Sequence, residues 1–344
     1  AHIRKLDYTR PITAAEDRTP DKSTIYDECD AVGINYNLGI YDAVHKMRPD
    51  KPIFASECCA TGTTRDWNFD TAVFGRIRDK DRDTNDWFLG REKTYKFLRE
   101  RAYVFGCYQW AAVEHRGEAA WPRVCSCSGA LDLFLQKKGA FYQNKSHWTK
   151  DPMAHIVPHW NFKGLEGREI PVTVYTNCEE LELFLNGKPL GKRQIEKYGH
   201  GEWSVEYIPG TLEVKGYIGG NEVCGDKRVT TGRPAALKLT QDNDFTANGS
   251  DIALFTCECV DENGLTVPDA AEYVRFSVSA PAKIIGTGSD NCDHNNVANT
   301  DRKMYMGKIR IAIKPKQGQV SFTLTAMSDN CGLCEKTVSL CAEN

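Results

Sequence analysis

No stretch of about 18 consecutive apolar residues occurs in this chain, which removes a membrane-spanning helix. A surplus of one charge is lacking too: 44 Lys and Arg stand against 47 Asp and Glu, for a formal net charge of -3. Nothing therefore draws the surface to nucleic acid or to an anionic membrane. Low-complexity tracts and short-period repeats are absent, and no helix of useful length is predicted after about residue 150. The first residues, Ala1-His-Ile-Arg-Lys-Leu-Asp7, do not form a signal peptide. They read as the last turn of a helix whose beginning is absent, which suggests a fragment of a longer protein.

Cysteine, by contrast, is plentiful. The 14 cysteines are irregularly spaced, and some fall within apolar strands, such as Cys257 and Cys259. They read mostly as small buried hydrophobes in a reducing compartment, so a cytoplasmic location is expected. Cys331-Gly-Leu-Cys334 has CxxC spacing, but no second CxxC or Cys/His pair accompanies it. A structural zinc site normally needs four ligands, so no metal is expected there.

The 344 residues, 41% hydrophobic and 26% charged, suit two or three globular domains. Residues 1–150 alternate strand and helix signals. Strands are expected at 10–13, 31–36, 52–56 and 103–110, and helices at 38–48, 91–101 and 136–148. Such alternation implies a parallel sheet with right-handed crossovers. The four strands amount to about half of a (β/α) barrel, which takes about 250 residues. From residue 151 the pattern becomes strict alternation, as in Glu180-Leu-Glu-Leu-Phe-Leu185, with hairpin turns at Asn186-Gly187 and Gly219-Gly220. A β-sandwich over 151–231 and a second over 232–344 are predicted, the latter ending in a strand at 320–326. Trp203 could offer a glycan platform, but its alternating pattern favours core burial. Pro158-His-Trp160 is expected to dock the first sandwich on the preceding region, with His155 and His159 packed at that interface.

Pro52-Ile-Phe-Ala-Ser56 is a short buried strand, and Glu57 stands where it stops. Barrels keep catalytic groups at the C-terminal ends of their strands. Position alone leaves two readings, a catalytic carboxylate or a strand-end glutamate in a surface salt bridge. Asn35, Tyr36 and Trp110 are expected on the same rim.

These landmarks together resemble glycoside hydrolase family 2, in particular its bacterial β-galactosidase-like members. Leu6-Asp-Tyr-Thr-Arg-Pro-Ile-Thr13 is similar to the family's "LDPTRPVT" strand five, and Asp30-Ala-Val-Gly-Ile-Asn-Tyr36 to its "DVVGYNY" strand six. Pro49-Asp-Lys-Pro-Ile-Phe-Ala-Ser-Glu57 resembles the "PDKPIxxSE" strand that carries the nucleophile. Gly106-Cys-Tyr-Gln-Trp110 through Arg116-Gly-Glu118 resembles the strand-eight motif "GxFxWTGxDYxGE". Here "WTG" has become Trp110-Ala-Ala, Glu114 stands where the family often has Asp, and His115 where it has an aromatic.

The resemblance implies strands five to eight of a partial (β/α)8 (TIM) barrel followed by two immunoglobulin-like β-sandwiches. It implies a retaining exo-β-glycosidase, most consistent with a β-galactosidase, with Glu57 as nucleophile. Tyr36, Asn35, Trp110 and Glu114 become candidate substrate contacts. The family's acid/base glutamate sits in an Asn-Glu motif at the end of strand four, and the Asn221-Glu222 pair of this chain lies in a β-hairpin instead. The missing N-terminal part of the same enzyme is therefore an expected partner, and the fragment alone is expected to be inactive. A β-galactoside-like carbohydrate is the expected substrate. No cofactor is required, although some members of the family bind Mg2+ or Na+. A half barrel leaves two open edges and an apolar interior, so self-association or partial disorder there is also expected. The alternative is a non-catalytic carbohydrate-binding or assembly segment built on the sandwiches.

Overall fold

The computed structural model of the chain describes residues 2–18, 22–69, 75–82, 84–85, 88–318 and 321–339. Val320, placed above in the last predicted strand, lies outside them, as do Ala1 and Cys341.

After helix α1 (His2–Leu6), strands β1 (Thr13–Glu16), β2 (Ala31–Asn35), β3 (Ile53–Cys58) and β6 (Val104–Gln109) pair in parallel in the order β1-β2-β3-β6. Short strands β4 (Thr84–Asn85) and β5 (Phe88–Leu89) form a small hairpin before α4. Helices α2 (Ile25–Glu28), α3 (Tyr41–Met47) and α4 (Arg91–Arg99) supply Tyr26, Tyr41, Val44, Tyr95 and Leu98 to a core with Val32, Ile34, Ile53 and Ala55. Helix α4 has no side-chain cap of its own. The carboxylate of Asp81 accepts the Arg91 and Glu92 backbone N–H groups at 3.2 and 3.1 Å, satisfying two orphan donors. Gly90 is required at this junction, since a Cβ there would lie 1.8 Å from the Arg82 carbonyl oxygen.

Some boundaries differ from the sequence expectation. The strand expected at 10–13 begins only at Thr13, because the Asp30 carboxylate takes the Ile12 N–H at 2.8 Å. The helix expected from 136 is α5 (Gly139–Trp148). Ahead of it, Asp132 holds a turn by accepting the Phe134 and Gln136 N–H groups, both at 2.9 Å. The edge strands β1 and β6 are the exposed ones, and Phe105 and Tyr108 stand 62% and 67% exposed beside Phe54.

Strands β7 (Ala154–Val157), β8 (Glu169–Thr176) and β11 (His200–Glu206) form one antiparallel sheet. It faces a second sheet, β10-β9-β12-β13, made of β9 (Glu180–Leu185), β10 (Lys188–Gln194), β12 (Thr211–Ile218) and β13 (Asn221–Val229). Period-2 alternation buries Leu181, Leu183 and Leu185 on one face of β9. Asn186 and Gly187 take φ of 51° and 78°, the two positive values a type I′ hairpin requires.

The remaining strands also form two antiparallel sheets. One contains β14 (Ala236–Gln241), β15 (Ala253–Val260), β19 (Lys308–Lys314) and β17 (Lys283–Gly288). The other contains β18 (Asp301–Lys303), β16 (Tyr273–Val278), β20 (Ser321–Ser328) and β21 (Gly332–Ser339). Phe255, Cys257, Ile309, Ile311, Phe322 and Leu324 fill the space between them.

Trp160 corrects one expectation. It is 1% exposed within the first sandwich's own core, with Nε1 donating to the Ile208 carbonyl at 3.0 Å, so it does not dock that sandwich on the parallel sheet. Docking falls to His155, stacked on Tyr142 of α5 with centroids 3.2 Å apart, and to His200, whose ring bridges Glu92 of α4 and Glu202. Trp203 is core, as its alternation predicts. Arg65 ties the second sandwich down. It is 3% exposed, pairs with Asp132 at 2.7 Å, and donates to the carbonyls of Ser289 and Tyr305.

Candidate active site

Strands β2 and β3 are parallel neighbours, so their C-terminal ends open on the same side. Asn35 pairs with Glu57 across a register shift, and the Tyr36 N–H donates to the Glu57 carbonyl at 2.8 Å. Glu57 is the penultimate residue of β3, one position inside the strand rather than beyond its end. On the other side, the Trp110 N–H donates to the Cys58 carbonyl at 2.8 Å, which brings the end of β6 onto the rim.

Three rim residues occupy left-handed backbone conformations: Tyr36 (φ 57°), Cys59 (φ 63°) and Glu118 (φ 48°). Each costs roughly 1–2 kcal/mol relative to ordinary backbone for an L-residue. Such strain concentrates where side chains must be aimed rather than packed. At Tyr36 the turn delivers the phenol to the neighbourhood of the Glu57 carboxylate, which acts on it directly. Burial, and then the neighbouring Glu57 charge, push the Tyr36 hydroxyl above its ordinary range, so it stays protonated and keeps its hydrogen for donation.

The Trp110 indole Nε1 donates to Glu118 Oε2 at 3.2 Å, and the His115 ring nitrogen lies 3.4 Å from the same carboxylate oxygen. Glu118 also acts on the Tyr36 phenol through its charge. Asn35 accepts the Ser56 hydroxyl at 2.8 Å, which locks the ends of β2 and β3 together. The second sandwich braces the outer part of the rim. The Asn291 carbonyl accepts the Val124 N–H at 2.8 Å, and His294 lies 2.7 Å from the Pro122 carbonyl oxygen and packs at a tilt against the 81% exposed Trp121. A separate cleft of about 830 Å³ lies where the three parts meet, lined in part by Lys137, His155, Lys227 and Arg310, and it does not include Glu57.

Two family models match the chain. "Glycoside hydrolase family 2 C-terminal domain 5" covers residues 237–337, and "Domain of unknown function (DUF4982)" covers 167–224. A β-galactosidase of Bacteroides ovatus is 30% identical over 99% of this chain and 42% of its own length. The chain belongs to glycoside hydrolase family 2. A β-glucuronidase of Formosa agariphila is 29% identical over 85% of the chain and 31% of its own length. The solved structure of a family 2 member from Bacteroides cellulosilyticus superposes with a TM-score of 0.82 at 28% identity, over 98% of this chain and 44% of that one. The chain thus spans less than half the length of these relatives.

Of the residues that the family motifs single out, the structure brings Asn35, Tyr36, Glu57 and Trp110 together and sets Glu114 apart. Glu114 as a substrate contact is corrected by its surroundings. Its side chain and that of Lys138 are both 0% exposed, paired at 2.6 Å, and Glu114 Oε2 also accepts the Leu133 N–H at 3.3 Å. An ion pair closed off from solvent presents no face to a sugar. Glu118 is the rim carboxylate that sequence reasoning left without a role. Its signal was the Gly117-Glu118 step of the strand-eight family motif, where the glycine takes φ of 93° and the glutamate follows at 48°.

Proposed function

We propose that this chain supplies the nucleophile side of a retaining exo-β-glycosidase acting on terminal β-galactosides. The open four-stranded sheet is the second half of a (β/α)8 barrel, and the two sandwiches are immunoglobulin-like. The observation that carries the proposal is the Tyr36 phenol set beside the Glu57 carboxylate at the ends of adjacent parallel strands, where the Tyr36 N–H also donates to the Glu57 carbonyl at 2.8 Å.

Glu57 attacks the anomeric carbon and forms a glycosyl ester, and the Tyr36 hydroxyl holds the carboxylate oriented for that attack. A retaining glycosidase needs a second carboxyl group roughly 5–5.5 Å away as acid/base. We assign that role to a glutamate outside these 344 residues. Trp110, steered by Glu118, offers its face to the apolar side of the sugar ring, and Asn35 lies beside it for a hydroxyl. Phe105 and Tyr108 stand where the remaining barrel strands, or a second copy, would cover them. A neutral sugar fits better than a uronic acid. Two carboxylates, Glu57 and Glu118, face the site, and among the described residues no lysine or arginine pairs with either. The alternative of a purely sugar-binding segment loses its named platform, since Trp203 is in the core.

The test is covalent trapping by a 2-deoxy-2-fluoro-β-galactosyl donor with a dinitrophenolate leaving group, which needs little acid assistance. It is applied to the chain and to the enzyme that contains it. A mass gain mapping to Glu57 supports the proposal. A label on Glu118 or elsewhere, or none in the complete enzyme, overturns it. Faster labelling by the corresponding glucuronyl donor keeps Glu57 as nucleophile and overturns the galactoside assignment.

A further inference from the structure

Cys178, in the short link between β8 and β9, and Cys224, on β13, are 46 positions apart in sequence, yet their sulfurs lie 3.4 Å apart. What lets them meet is an absence. Gly216 of β12 pairs directly with Cys224, and a Cβ on Gly216 would lie 2.8 Å from each of the two sulfurs. Any side chain at 216 would occupy the space the thiols share. The β12–β13 ladder shifts register between Gly216 and Tyr217, so the strand bends at the same point.

Among the described residues two other pairs of sulfurs lie within hydrogen-bond distance, and Cys58 also acts on Cys107 of β6; these are poorer candidates for reaction. Cys259 and Cys331, 3.6 Å apart, are 0% and 7% exposed within the second sandwich. Cys58 and Cys59 are chain neighbours, each 1% exposed, and a bond between them would close a ring across a single peptide unit. Cys178 is itself 4% exposed, but its partner Cys224 is only partly buried and sits on an edge strand, so this pair, unlike those two, is open to solvent on one side. The hydrogen bond with Cys224 also holds the Cys178 thiol below the usual thiol range, so Cys178 is the better nucleophile of the two.

We propose that Cys178 and Cys224 form a peroxide-reactive dithiol, closed by oxidation into a disulfide across the gap left by Gly216. The Cys178 thiolate attacks one oxygen of hydrogen peroxide, the O–O bond breaks, and hydroxide leaves to become water with the proton that Cys178 released. The Cys224 sulfur then attacks the resulting sulfenic acid. The S–O bond breaks, and a second water leaves with the Cys224 proton. Two thiols are oxidised, one peroxide is reduced, and the sulfurs move roughly 1.3 Å closer to reach the disulfide length of about 2.05 Å. The bond ties the end of β8 to the edge of the opposite sheet.

The folded, fully reduced 344-residue chain is treated with hydrogen peroxide, quenched, unfolded, alkylated and mapped by mass spectrometry. The expected product loses about 2 Da and two alkylation sites, and its cross-linked peptide joins Cys178 to Cys224 before any other pair forms. In Cys224→Ser, Cys178 instead takes a dimedone adduct. In Gly216→Ala, verified as folded by circular dichroism, the cross-link is lost. A different first cross-link, or Cys178 still alkylatable after other thiols have oxidised, overturns the proposal. So does a Cys224→Ser chain in which Cys178 takes no adduct. If Gly216→Ala does not fold, the wild-type map and Cys224→Ser decide the matter.

Discussion

Replacing Lys138 by methionine should destabilise the parallel-sheet region far more than the loss of an ordinary ion pair. Lys138 Nζ lies 2.6 Å from Glu114 Oε1 and donates to the Cys127 carbonyl at 2.9 Å, and neither charged side chain is exposed at all. In Lys138→Met the carboxylate keeps the Leu133 N–H at 3.3 Å and a weak contact with the Cys125 thiol at 3.7 Å. Burial already pushes the Glu114 carboxyl above its ordinary range, with Lys138 opposing. Without the lysine, the site must hold an uncompensated charge or take up a proton. Breaking such a buried pair costs about 3–5 kcal/mol, against about 0–1 kcal/mol for an exposed one. The folded population should fall about a hundred- to several-thousand-fold, and the urea midpoint by more than about 1 M. Equilibrium urea unfolding followed by tryptophan fluorescence measures this. The double variant Glu114→Leu/Lys138→Met removes both members of the pair and should recover part of the loss, the buried Asp79 still going without the Lys138 charge that favours its carboxylate. A Lys138→Met chain within about 1 kcal/mol of the parent would refute the reasoning, since Glu114 would then have the solvent access of an exposed pair. Glu114 would return as a substrate-facing candidate.

Three further outcomes are expected. In the complete enzyme, Tyr36→Phe should slow covalent labelling of Glu57 about 10- to 100-fold, because a hydrogen bond to a charged group contributes about 1.5–3 kcal/mol; an unchanged rate would remove Tyr36 from the mechanism. The docking of the first sandwich on α4 should be pH-dependent. Burial lowers His200, but hydrogen bonds to Glu92 and Glu202 outweigh it and leave its pKa raised. The stabilisation is therefore full below the unfolded value, about 6.5, and is lost as pH rises through the higher folded one. Stability should decline across that alkaline window in the parent and not in His200→Gln, which urea midpoints at a series of pH values would show. Arg65→Met, which strands the buried Asp132 carboxylate and frees two carbonyls of the second sandwich, should cost about 3–5 kcal/mol, seen as an earlier first transition in calorimetry.

Much of the molecule was determined by sequence-local physics. Alternation at period 2 in Glu180–Leu185 dictates which leucines face the core, and Asn186-Gly187 dictates the hairpin, because both effects act within a few residues. The ordered family motifs led to glycoside hydrolase family 2, and parallel pairing of consecutive strands was enough to put Tyr36 beside Glu57. Other features joined residues far apart in the chain, and no local pattern announces such meetings. Glu114 had the place of a substrate contact in the motif, but Lys138, 24 positions on, closes over it. The sequence around Trp160 points to an interface, and the tertiary structure gives its indole the carbonyl of residue 208 instead. Glu118 reaches the rim only because Gly117 and its own left-handed backbone turn the loop back toward Trp110. Cys178 and Cys224 were two of 14 scattered cysteines until the folded sheet placed a glycine between them. Hydrophobic period and turn chemistry are short-range and can be read along the chain. Which polar groups are sealed together in the interior depends on how the sheets and helices close over one another.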